Sequence, residues 1–519
     1  MRKVMVLLMF ALIGLSGMSQ QITFQKTYYG NIANGDQAAQ QTTDGGFIVC
    51  SWSGFYGVTY LIKTNINGDT LWTKTYFSND QIEASSIQQI SDGGYIITGS
   101  NISNTNGDML LIKIDSIGNI LWSKTTNLGG FVSGNSVKET NDGGYIIACN
   151  FWADNNNGEE GALIKVDGSG NFLWQSNFGQ IGGFNTIISS VQQTIDGGYI
   201  VTGSAYGVYL IKADSNGNII WAHDFGGNTN PNSSGYSVRQ TIDGGYIIAG
   251  STDAFGAGLT DVYLIKTDTI GNLIWSKTYG GTSDDVANCV NQTSDGGYII
   301  AGYTYSFSNG NNSYGYVLKT DANGNLNWSN TYIGDGYTQF YYIQQTFDGG
   351  YIIGGSTSDT INTYLFLIKT DSIGNSGCNE GNPATIVTTP MTIDTNLSYF
   401  SVYSLILYPY SLFDSSINQP VNTICFTTSN NESLMKENSI SLYPNPTSGI
   451  FTLSYNSQLS ILHSQFKIYD VTGREVYTLS IINQESTIIN VSNLSNGIYF
   501  YQLTNKEETY RRKFVKESY

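Results

Sequence analysis

The sequence predicts an all-β chain whose larger part repeats one four-stranded unit seven times. Three observations carry that prediction. First, a short phrase recurs, as in SDGGYIITGS from Ser91, and its Asp falls at Asp44, Asp92, Asp142, Asp196, Asp243, Asp295 and Asp348. Second, the 519 residues include 60 Gly and 37 Tyr but only 12% charged side chains, which suits aromatic-rich strands and tight turns better than helices. Third, the copy around Asp295 resolves into four strand-like runs, 273–279, 287–293, 297–304 and 314–321, rich in β-branched and aromatic residues and separated by Gly, Asn and Asp.

Two joints of the unit are tight. In Ser294-Asp295-Gly296-Gly297 the glycines accept the positive φ of a short hairpin. The second is Asp321-Ala322-Asn323-Gly324-Asn325, with relatives such as Asp115…Gly118-Asn119 and Asp268…Gly271-Asn272. The other two joints vary in length and content. In an up-and-down sheet alternate joints share an end, so tight turns lie on one face and variable loops on the other.

Six copies carry Trp on the last strand: Trp72, Trp122, Trp174, Trp221, Trp275 and Trp328. The seventh ends at Asn375-Ser376-Gly377-Cys378 without one, whereas the early stretch ITFQKTYYG matches LWSKTYGG with Phe24 in the Trp position. A four-stranded unit recurring about every 50 residues, its missing strand at the far end of the chain, predicts a seven-bladed β-propeller over residues 20–378, closed by the N-terminal strand. In architecture this part resembles secreted bacterial propellers of the kelch and WD-repeat type, though it carries neither signature. The repeated phrase is also similar to the Asp-box of sialidases. No Trp follows the glycines here, so that activity does not carry over.

Residues 1–19 predict a signal peptide: Arg2 and Lys3 open it, an apolar run at 4–15 is too short to span a membrane, and Gly17 and Ser19 place cleavage after Ser19. No later stretch is long enough to cross a bilayer as a helix, so no integral membrane segment is expected. A net charge of −17 argues against nucleic acid and anionic membranes as partners. Cys50, Cys149 and Cys289 sit in apolar strand text and read as small buried hydrophobes. Cys378 and Cys425 flank a non-repeated segment and form the expected disulfide of an exported chain. The segment itself, 379–437, is rich in Thr, Ser and Asn and is either a strand-bearing extension or a linker.

From Asn438 the text changes again. Short alternating strands with turns at Pro446–Gly449, Thr472-Gly473 and Asn496-Gly497 predict a small Ig-like β-sandwich. The pieces Tyr443-Pro444-Asn445-Pro446, Gly449, Tyr469-Asp470…Gly473-Arg474, Asn496-Gly497-Ile498-Tyr499 and the basic end with Lys513 and Lys516 resemble, in order, the type A C-terminal sorting domain of the type IX secretion system. The resemblance covers residues 438–519. It implies the type IX machinery as a partner, and a protein released from, or attached to, the outer surface of a Gram-negative cell.

The chain is poor in catalytic side chains. His223 and His463 are its only histidines, with no metal-ligand spacing, so no catalytic residue, metal or other cofactor is expected. The recurring Asp residues read as turn formers. Ligand contacts are expected in the variable loops: Trp52, Phe55 and Tyr56; Phe151, Trp152, Asp154, Glu159 and Glu160; Asp253 and Phe255; Tyr303 and Tyr305. Aromatic platforms among acids and amides suit a glycan or a protein ligand, so the expected role is a binding or scaffold module. The alternative is a secreted carbohydrate-active enzyme using loop carboxylates, which would need two acids at a defined separation.

Overall fold

A computed structural model describes residues 22–28, 38–53, 57–102, 107–126, 131–152, 159–179, 185–226, 233–310, 312–397, 407–416, 421–428, 440–443, 450–455, 464–469, 474–481, 486–504 and 509–516. The expected signal peptide lies outside them. The chain divides into two compact units, Met1–Ser429 and Asn430–Tyr519.

Seven antiparallel sheets build the first unit. Sheets 1 to 6 each take four consecutive strands, from residues 38–77, 81–126, 132–177, 187–226, 233–280 and 285–332. Sheet 7 takes three strands from 337–370, and its fourth is the first strand of the chain, Ile22–Tyr28, paired with Thr363–Thr370 so that Phe24 faces Lys369. Trp72 faces Lys63 in the same register in sheet 1, so Phe24 occupies the Trp position.

Burial explains the strand sequences. The second and third strands of a sheet are covered on both faces, and they read as nearly continuous apolar runs such as Tyr246–Thr252 and Asp261–Thr267. The fourth strand alternates, as in Leu273–Gly280, because its outer side is less covered.

The tight turns show why Asp and Gly recur. Asp92 Oδ1 accepts the Gly94 N–H at 2.9 Å, and Gly93 has φ +86°, which a side chain would strain. Each turn Asp also pairs with a Lys of the third strand in its own sheet: Lys63–Asp44, Lys113–Asp92, Lys165–Asp142, Lys212–Asp196, Lys266–Asp243, Lys319–Asp295 and Lys369–Asp348, at 2.8–3.0 Å. Partial burial opposes ionisation, yet hydrogen bonds from Thr140, Lys165 and Gly144 hold the Asp142 carboxyl down to about 2. The repeated Asp is a structural residue.

Adjacent sheets meet through a repeated seam. Each last-strand Trp packs on the DGGY tyrosine of the next sheet: Trp72 on Tyr95, Trp122 on Tyr145, Trp174 on Tyr199, Trp221 on Tyr246, Trp275 on Tyr298 and Trp328 on Tyr351, at 5.6–6.4 Å. Phe24 of sheet 7 packs on Phe47 of sheet 1 at 6.1 Å. Hydrogen bonds repeat beside the rings. Thr43 N–H donates to Gln89 Oε1, Ser294 N–H to Gln345 Oε1, and Phe347 N–H of sheet 7 to Gln41 Oε1 of sheet 1.

Residues 379–428 contribute short strands to sheet edges. Glu380–Gly381 joins sheet 6, Ile386–Thr388 sheet 5, Ile393–Asn396 sheet 4, Leu407–Pro409 sheet 2, Phe413–Ser416 sheet 1 and Val421–Thr428 sheet 7. A disulfide joins Cys378 to Cys425, and Cys50, Cys149 and Cys289 are free and buried.

The second unit has a three-stranded and a four-stranded sheet among its described residues. Leu453, Phe466, Ile468, Ile489, Val491, Tyr499, Tyr501 and Leu503 form its buried core.

Candidate functional site

Strands from all seven sheets line one cavity of about 480 Å³. Its wall includes Ala38, Ser86, Ser136, Ser190, Ser237, Asn288 and Tyr342, one from each sheet. The variable loops share one end of the sheets, as backbone hydrogen bonds between them record. Trp152 N–H donates to Phe131 O, Thr186 N–H to Glu159 O, Asp285 N–H to Thr260 O and Tyr305 N–H to Asp284 O, each at 2.7–2.9 Å.

The loop residues singled out from sequence separate into three groups. Phe55, Tyr56 and Asp154 lie outside the described residues. Phe151 and Glu160 are buried, at 4% and 6% exposure, because the strand pair Tyr145–Trp152 and Glu159–Val166 extends to those positions and places Phe151 opposite Glu160. Phe151 packs into the core beside Val132 and Cys149. The others reach the surface in differing degree. Trp152 is 50% exposed, Asp253 is exposed, and Trp52 and Glu159 are half-buried. Phe255 rests on Tyr263 at 6.0 Å. Tyr303 lines the cavity, shares its wall with Tyr236, and meets Tyr305 edge-on at 6.0 Å. Tyr236 carried no periodic signal of its own in the sequence, and only the packing of inner strands brings it beside Tyr303.

Two acids at the loop ends of their sheets have raised carboxyls. Asp261 and Asp285 open neighbouring strands in sheets 5 and 6, and both are almost fully buried. A methyl on Gly280 would collide with Asp261 Oδ1 and Asp285 Oδ2, so both carboxyls crowd one backbone atom. Asp261 Oδ2 accepts from Ala257 N–H at 2.9 Å, and Asp285 Oδ2 from Gly281 N–H at 2.7 Å, while the Oδ1 atoms have no partner among the described residues. Burial, with Asp285 adding to it, pushes the Asp261 carboxyl up to about 6, and burial pushes Asp285 up too. A carboxyl raised on folding binds its proton more tightly in the folded state. Stability from this pair therefore rises as pH falls through about 6 toward the ordinary carboxylate range, and is lost above it. Asp261→Asn keeps an acceptor for Ala257 and offers an N–H toward Asp285. It is expected to raise the melting temperature at pH 8, by about 1–3 kcal/mol in stability, and to give no gain at pH 4. Thermal unfolding at the two pH values checks this, and a lowered melting temperature at pH 8 would refute it.

His223 is a packed residue of Ile219–Gly226. Its Nδ1 lies 2.6 Å from Asp394 of the edge strand Ile393–Asn396. Among the described residues no group of three or more His, Cys, Asp or Glu is placed to hold a metal, and no helix is long and apolar enough to cross a membrane.

In the second unit Tyr443 ends the strand Ile440–Tyr443, and Gly497 opens Gly497–Thr504. Tyr499 is buried, and its hydroxyl donates to Ser495 O at 2.9 Å. Pro444, Asn445, Pro446, Gly449 and Gly473 lie outside the described residues.

No curated protein matches the chain. A protein of unknown function from Bacteroides caccae is 12% identical, with a TM-score of 0.35 over 59% of this chain and 93% of that one. An exo-beta-1,3-galactanase from Clostridium thermocellum is 11% identical, with a TM-score of 0.28 over 57% of this chain and 83% of that one. Likenesses this low carry no argument about fold or activity. One family model does match: the secretion system C-terminal sorting domain, over residues 441–517. The chain thus carries a type IX sorting signal and is a secreted protein that is attached to the outer surface or released.

Proposed function

We propose that the first unit is a closed seven-bladed β-propeller acting as a binding module for a glycan or protein ligand, delivered outside the cell by an Ig-like sorting domain. Support for closure comes from the pairing of Ile22–Tyr28 into sheet 7, the Phe24–Phe47 contact, the Phe347–Gln41 hydrogen bond and the cavity walled by strands from all seven sheets. Two sheets around one core support the sandwich reading of 438–519. In this reading residues 1–19 are removed on export, 20–378 form the propeller, and 379–437 extend it.

The observation that carries the binding role is the tyrosine group at the loop side of the cavity: Tyr236, Tyr303 and Tyr305, with Tyr236 37% exposed. Tyrosines present a flat apolar face and a hydroxyl together, which suits a sugar ring or a peptide edge. The loop carboxyls favour binding over hydrolysis. Glu159 and Glu160 are consecutive on one strand, so their side chains leave opposite faces and do not converge on one bond.

A screen of the secreted protein against plant, algal and host polysaccharides and surface proteins tests the reading. At least one ligand is expected to bind, and Tyr303→Ala is expected to weaken it about tenfold, about 1.4 kcal/mol. No binding to any glycan or protein would overturn the proposal.

A further inference from the structure

The seven repeats provide their own control for what the inner strands need. At the next-to-last position of those strands stand Gln40, Gln88, Lys138, Gln192, Arg239, Asn291 and Gln344. The glutamines have a structural task. Gln40 Oε1 accepts the Gln89 N–H of the next sheet at 2.7 Å, Gln88 that of Glu139 at 2.8 Å, Gln192 that of Gln240 at 2.8 Å and Gln344 that of Gln41 at 3.3 Å. Lys138 and Arg239 have no acceptor atom, so the seams to Gln193 and Gln292 forgo that bond. Asn291 is too short for the same reach. Its Oδ1 instead accepts from Arg239 Nε at 3.0 Å, while its Nδ2 donates to Ile343 O at 2.5 Å. Three of the seven positions depart from the structural solution, and two of the three carry positive charge.

Both cations line the cavity. The seven turn lysines each have an aspartate within 3.0 Å, but no carboxylate among the described residues pairs with Lys138 or Arg239, and Lys138 Nζ has no hydrogen-bond partner there. The cavity wall includes no Asp or Glu, in a chain of net charge −17. Burial, and Arg239 beside it, push the Lys138 ammonium down to about 8, so a bound anion would relieve both. Hydroxyls complete the wall. Ser86, Ser136, Ser190 and Ser237 each accept a backbone N–H from the neighbouring sheet, at 3.3–3.5 Å, which leaves the hydroxyl proton free to donate.

We infer that Lys138 and Arg239, with this tier of serine hydroxyls, form a binding site in the central cavity for a small oxyanion: a carboxylate, sulfate or phosphate group on a molecule of monosaccharide size. Arg239, oriented by Nε donating to Asn291 Oδ1 and Nη1 to Val238 O, supplies the remaining N–H groups of its guanidinium and Lys138 a point charge, a combination suited to oxyanion oxygens. A volume of about 480 Å³ admits a ligand of that size. Lys138 and Arg239 stand at the tight-turn end of the inner strands, whereas Tyr303 lies toward the variable-loop end of the same cavity.

The test titrates the full chain with glucuronate, sulfate and phosphate by calorimetry in low-salt buffer, beside Lys138→Gln, Arg239→Gln and the double variant. Glutamine is the repeat's own residue at this position, so the double variant is expected to fold with an unchanged or raised melting temperature. At least one of the three anions is expected to bind saturably at one per chain, and the double variant to bind it at least tenfold more weakly. The anion that binds tightest identifies the group. If the double variant fails to fold, each single change is expected to cost at least threefold. No saturable binding of any of the three, or variants that bind as tightly as the parent, would overturn the inference.

Discussion

A chain truncated before Asn438 is expected to accumulate in the periplasm as a folded protein, with the secreted fraction falling to background. Two observations set that expectation. The sorting-domain match is confined to residues 441–517, so the truncation removes it whole. The second unit also keeps its own core, built from Leu453, Phe466, Ile468, Ile489, Tyr501 and their neighbours. The retained protein should therefore keep the parent's melting temperature, which separates a sorting defect from misfolding. Fractionation with immunoblotting, and thermal unfolding of the periplasmic material, read both quantities. Secretion of the truncated chain at parental levels would refute the assignment of export to this domain.

The parts of the fold that were legible in the sequence are those governed by local chemistry. Strand ends around Asp295 were readable to within two residues because Asp and Gly mark turns by their own backbone preferences. The Trp position of Phe24 was readable because the flanking text repeats. What escaped depended on register or on distant packing. The lysine partner of each turn Asp stands two strands away in its sheet, and no local rule links them. Glu160 and Phe151 looked like loop residues because the hairpin there is long, whereas its strands continue and turn both inward. The edge strands of 379–428 have too few residues, as in Glu380–Gly381, to show a period at all. Lys138 and Arg239 became conspicuous only once the seven inner strands stood side by side and the glutamine rule could be seen to fail.

Replacing Cys378 and Cys425 by Ser is expected to cost about 4 kcal/mol of stability, and to release residues 380–428 before the seven sheets unfold. The path of that segment supplies the reason. It leaves sheet 7 at Cys378, meets sheets 6, 5, 4, 2, 1 and again 7 in reverse chain order, and the disulfide ties its end to its start across 47 residues. Its individual attachments are small: a two-residue strand on sheet 6, the Thr278–Thr388 hydroxyl pair at 2.5 Å, the Lys74–Asp414 ion pair at 2.6 Å and the stacked rings of Phe77 and Phe413. Strands this short do not hold their edges alone, and an exposed ion pair contributes about 0–1 kcal/mol. Closing the loop covalently limits the freedom the segment gains on detaching, so that one weak contact restrains the next. Two consequences are measurable by hydrogen exchange. Backbone amides of the edge strands between 380 and 428 should lose protection in the double Ser variant while Tyr246–Thr252 and Tyr298–Thr304, buried within their sheets, keep theirs. Ile22–Tyr28 should loosen next, since one of its two neighbours is the terminal strand Val421–Thr428. A variant whose edge-strand amides remain as protected as the parent's would show that edge pairing alone holds the segment, and would remove the disulfide from this role.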